Sequence, residues 1–97
     1  MMVQDNFRPV PGTGQTLALG AASVASTALP ANSFWARISA TGNCHVAIGQ
    51  APVATANDML VKATDPPVVL RVQPGEKIAV IQDAAATGNL NIIAVTH

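Results

Sequence analysis

Along residues 34–40 apolar and polar positions alternate, with Phe34, Ala36, Ile38 and Ala40 on one side of an extended chain and Trp35, Arg37 and Ser39 on the other. A period of two is that of a half-buried strand. The same period sets Cys44, Val46 and Ile48 against His45 and Ala47, and Val68, Leu70 and Val72 against Val69 and Arg71. Between the first two segments, Thr41-Gly42-Asn43 supplies residues that tolerate the positive φ of a tight hairpin turn. Residues 77–82 and 90–95 depart from this pattern. Ile78 and Val80 oppose Ile81, and Leu90 and Ile92 oppose Ile93 and Val95, so both runs predict strands covered on both faces. The second cover comes either from another subunit or from a strand that crosses between sheets.

Punctuation falls at Gly20, 29–32, 41–43, 49–52, 65–67, 74–75 and 87–89. A spacing of about ten residues predicts an all-β sandwich or barrel of antiparallel strands. Alanines in residues 17–29 would suit a helix, but Gly20, Ser23, Ser26 and Thr27 weaken it, and 16–19 and 24–29 read better as two strands across a Gly-Ala-Ala turn. Pro9 and Pro11, followed by Gly12 and Gly14, predict an extended N-terminal arm over 1–14 ahead of one sandwich domain over 15–97.

Composition sharpens the picture. At 97 residues there is room for one domain, and a formal net charge of zero lacks the basic footprint of a nucleic-acid binder. Only 10% of residues are charged while 49% are hydrophobic, which predicts surface buried against partners. The start of the chain lacks the basic and apolar runs of a secretion signal, and residues 17–29 fall short of the roughly 18 to 20 apolar residues of a membrane span. Neither nucleic acid nor membrane is therefore expected as a partner.

Candidate chemistry is sparse. Cys44 and His45 resemble a nucleophile and base, but neighbours in a strand point to opposite faces, which predicts a buried thiol beside an exposed imidazole. With a single cysteine, and no ligand spacing linking His45 to His97, no metal site is predicted. Gly12-Thr13-Gly14 lacks the Lys-Ser or Lys-Thr of a phosphate loop. Asp58, Asp65 and Asp83 lie in turn-like settings where carboxylates bind local backbone. The expectation is a protein that is not an enzyme, with no catalytic residues, cofactor or metal. Trp35 is the most informative side chain: alternation places it outward beside Arg37 as a contact residue, unless a bulge turns it into the core.

The order of segments resembles a group of small virion structural proteins of tailed bacteriophages. The resemblance runs from 15 to 97: Gln15-Thr16-Leu17-Ala18, Ala28-Leu29-Pro30, Ala40-Thr41-Gly42-Asn43, Val46-Ala47-Ile48-Gly49, Thr55-Ala56-Asn57-Asp58-Met59, Val72-Gln73-Pro74-Gly75-Glu76-Lys77-Ile78 and Gly88-Asn89-Leu90-Asn91-Ile92. It departs from many of those proteins in its longer arm and in Asp65-Pro66-Pro67. The resemblance implies a β-sandwich, of jelly-roll type in some members, that serves as a capsid decoration or cement protein and brings no active-site residues. On that reading a homotrimer, made in the host cytoplasm, docks on the head exterior and clamps the major capsid protein. Val3, Phe7, Arg8 and Val10 of the arm, with Trp35 and Arg37, are the expected partner contacts. The competing expectation is a receptor- or glycan-binding module of a tail fibre or spike, built on Trp35, His45 and Arg37.

Overall fold

A computed structural model describes residues 8–31 and 33–96, and among these there are nine strands and no helix. They are β1 (Arg8–Pro9), β2 (Gln15–Ala18), β3 (Val24–Ala25), β4 (Trp35–Ala40), β5 (Cys44–Gly49), β6 (Met59–Val61), β7 (Val68–Arg71), β8 (Lys77–Gln82) and β9 (Asn89–Thr96). All pairings are antiparallel. One sheet orders β9, β4 and β7 side by side, with β1 and β2 sharing the outer edge of β9, and the second runs β3-β8-β5-β6. The pairs β2·β9, β3·β8, β4·β7 and β5·β6 are successive rungs of one long hairpin, rolled up so that β4 also meets β9 and β5 also meets β8. That is the strand order of a jelly roll, and the expected all-β sandwich is what the chain forms.

The alternating segments supply the core. Ala36 and Ile38 of β4, Leu90 and Ile92 of β9, Cys44 and Val46 of β5, and Ile78 and Val80 of β8 point between the sheets and are buried. Phe34, grouped with them by alternation, lies just before β4 and is 46% exposed. Ile48, at the far end of β5, is also exposed.

Rolling changes several local expectations. Thr41-Gly42-Asn43 is not a hairpin, because β4 and β5 belong to different sheets. It is a corner that carries the chain across the sandwich, and Gly42 is not among the residues with positive φ. Its missing Cβ makes room for the backbone of the 84–88 loop: a Cβ there would lie 2.9 Å from the carbonyl carbon of Thr87 and collide with its oxygen. The segments at 16–19 and 24–29 are likewise extended but not paired with each other, since β2 pairs with β9 and β3 with β8. Beyond Ala25 the backbone keeps bonding to the β8 side, through Ser26 N–H to Ile78 O and Leu29 N–H to Glu76 O.

The double-faced strands find part of their second cover within the chain, while Ile81 and Ile93 stay half-buried. On the outer face of the β3-β8-β5-β6 sheet, register sets His45 beside Ile81 and Leu60, and Ala47 beside Ala79 and through it Ala25. The connection between β5 and β6 reaches over this face. Ala54, 2% exposed, donates its N–H to Ser23 Oγ next to β3, and the Asp58 carbonyl accepts from His45. This strap leaves Ala79 fully buried without another subunit. In the opposite sheet Val95 is equally buried, between Pro9 of β1 and Trp35 of β4.

The stretch before Gln15 also joins the sheet. Arg8 and Pro9, the first of the described residues, pair with Thr96 and Val95. Between β1 and β2 the edge strand loops out at Pro11-Gly12, with Gly12 at φ +79°. Thr13 Oγ1 repairs the interrupted ladder by accepting from Ala94 N–H at 3.1 Å and donating to Val10 O at 2.7 Å.

Candidate functional site

Strand alternation in β5 sends Cys44 and His45 to opposite faces of its sheet. Cys44 is fully buried in the core cluster, and burial, reinforced by the negative Asp83, pushes its thiol up to about 11. A thiol held protonated in an apolar core is a poor nucleophile. Cys44→Ser should destabilise the fold by about 1 to 2 kcal/mol, because the hydroxyl is a stronger hydrogen-bonding group left in an apolar setting. Chemical denaturation checks this.

His45 is not the exposed residue that the alternation predicts: it is 8% exposed, tucked beneath the strap. Its Nδ1 lies 3.0 Å from Asp58 O and its Nε2 lies 3.0 Å from Asp83 Oδ1. Both partners only accept hydrogen bonds, so the ring serves both only when it carries two protons. The Asp58 carbonyl and then the Asp83 carboxylate raise the imidazole above its ordinary value of 6.5, against an opposing effect of burial. In its protonated form His45 is therefore a clasp between the strap and the end of β8. With both ring nitrogens occupied, neither is free to move a proton to or from a bound molecule.

The acidic residues divide in the same way. Asp58 closes its own turn, accepting from Thr55 N–H at 2.7 Å and Thr55 Oγ1 at 3.1 Å, and Asp65 accepts from Lys62 N–H, as local capping predicts. Asp83 departs from that expectation by reaching His45. No spacing announces this pair: His45 sits opposite Ile81 in the β5·β8 ladder, and Asp83, two residues beyond Ile81 on the same face, reaches it diagonally.

A second locus lies on the outer face of the β4, β7 and β9 sheet. Trp35 projects there, half-buried, between Val95 and Arg71, whose guanidinium carbon sits 5.7 Å from the ring centroid. Such a contact is a cation–π interaction. Arg37 lies two residues on, between Val69 and Ile93. Trp35 and Arg37 thus share a face, and the arginine over the indole is Arg71, which the alternation of 68–72 had placed outward without marking it. Arg8 is exposed and Val10 half-buried, its N–H bonded to Ala94 O at the edge of the sheet. Val3 and Phe7 lie outside the described residues.

An open cleft of about 220 Å³ lies between 12–15 and 27–30, on the seam of the sandwich. Its polar groups bind one another: Gln15 Oε1 accepts from Thr27 N–H and Oγ1, closing the seam. Among the described residues no cluster of His, Cys, Asp or Glu could hold a metal ion. Set beside known protein families, curated proteins and solved structures, the chain matches none of them.

Proposed function

We propose that this chain is a bacteriophage capsid decoration protein, which binds the head exterior as a homotrimer and stabilises the lattice of the major capsid protein. The observation that carries the reading is the asymmetry of the roll. One sheet is strapped over by the chain's own 50–58 segment, while the other presents Trp35, two arginines and apolar residues on its outer face. The strap covers part of the first face, and the second carries an aromatic ring and two arginines suited to contact. The scarcity of charge and the exposure of Phe34, Val53, Met59 and Leu60 add surface that a lattice or a second subunit can bury.

Quantitative gel analysis of purified particles, with imaging of the protein's position, tests the reading. Copies spread over the head are expected. A few copies at the tail would instead support the fibre or spike module, with Trp35 and Arg37 facing a receptor or glycan. Light scattering should give three times the mass of one chain, and a single-chain mass that holds across micromolar concentration would overturn the trimer.

A further inference from the structure

The described carboxylates are all engaged locally. Asp58, Asp65 and Glu76 cap the N–H groups of Thr55, Lys62 and Gln73 in their own turns, and Asp83 holds His45. None is paired with an arginine, and His45–Asp83 is the ion pair found among the described residues. Arg37 and Arg71, by contrast, stand together. In the β4·β7 ladder Arg37 faces Val69 and Trp35 faces Arg71, so the arginines occupy diagonal positions on one face. Diagonal neighbours are about 7 to 8 Å apart, close enough for one acidic group or a pair of them to contact both. Like charges at this spacing repel, and an opposite charge supplied from outside relieves the repulsion.

The surroundings favour a protein as its source. The ground around the arginines is apolar, with Trp35 and Val69 between them and Ile93 on the far side of Arg37, all half-buried. An aromatic and aliphatic floor with arginines at its rim is the composition of protein–protein interfaces. The indole beneath Arg71 restrains its guanidinium before any partner arrives, which lowers the ordering cost and leaves the N–H fork for a carboxylate.

We infer that the Trp35–Arg37–Arg71 face docks on an acidic protein surface, with partner carboxylates received by Arg37 and Arg71 over the apolar floor. This deepens the decoration reading and rests on it for the identity of the partner as the head surface. The experiment has two arms. Where particles carry the protein, the particle arm decides: Arg37→Glu/Arg71→Glu should lower head occupancy by about tenfold or more, Arg37→Lys/Arg71→Lys, which keeps the charge but loses the fork, should lower it distinctly less, and Lys62→Glu, elsewhere on the surface, should change little. A folded charge-reversed variant that occupies heads normally overturns the inference and leaves the decoration reading standing. Where particles do not carry the protein, the decoration reading falls and a peptide arm decides. Trp35 is the only tryptophan, so its fluorescence reports on this face. Hexaglutamate should shift it saturably in wild type and not in the charge-reversed variant. No shift, or a stronger response to tripolyphosphate than to hexaglutamate, overturns the inference.

Discussion

Gly42→Ala is expected to cost about 3 kcal/mol or more, the upper end of overpacking, because the obstacle is backbone and not a side chain that can turn away. The corner at 41–43 is locked to the start of β9, with Thr41 N–H donating to Asn89 O at 2.9 Å and Asn89 N–H donating to Thr41 Oγ1 at 2.8 Å. Leu19 N–H also bonds Gly88 O at 2.9 Å, so three connections meet at this end of the sandwich. A methyl group at Gly42 would collide with the Thr87 carbonyl and press on Leu19, and relief requires those bonds to open. For a domain of this size the melting temperature should fall by about 12 to 24 °C. Gly49→Ala is the control: a Cβ there meets nothing within 4 Å, and its effect should stay within about 0.5 kcal/mol. A Gly42→Ala protein that melts with the wild type would show that the corner does not need this close approach.

His45→Gln should cost about 2 kcal/mol at mildly acidic pH, since an amide replaces a charged donor that spans two acceptors. Its signature is pH dependence. The native imidazole titrates above its ordinary 6.5, so the stabilisation is complete below that value and is lost as pH rises through the higher native value. The difference in melting temperature between wild type and His45→Gln should therefore shrink as pH rises above the ordinary imidazole value of 6.5. The 50–58 strap should also exchange its amide protons faster in the variant, because Asp58 O loses its donor. A difference that is constant with pH would mean that His45 is neutral in the native state.

Both effects arise where the chain meets itself at long range, and this separates what was legible from what was not. The strands β4, β5 and β7 follow from alternation, because side-chain direction in an extended chain depends only on parity, and β8 and β9 follow from short runs apolar on both faces. The same parity keeps Cys44 and His45 apart and sets Trp35 and Arg37 on a common face. Local chemistry also sufficed for the turn at 55–58, where Asp58 reaches a backbone N–H only three residues away.

Partnership between strands lay beyond the sequence. Thr41-Gly42-Asn43 has hairpin chemistry whether its flanking strands pair or part company, and only the roll, which sends β4 and β5 to different sheets, settles the matter. The apolar outer positions of β8 and β9 show that a second cover is needed without saying where it comes from. The strap beside Ala79 and the placing of Val95 between Pro9 and Trp35 supply part of it from distant parts of the chain, while Ile81 and Ile93 stay half-buried. The sequence by itself determined which residues face in and out along each strand, because that is a local property of backbone geometry. Tertiary structure alone decided that His45 is a buried clasp to Asp83 and that Arg71 covers Trp35, because each contact joins segments that approach only once the hairpin has rolled up.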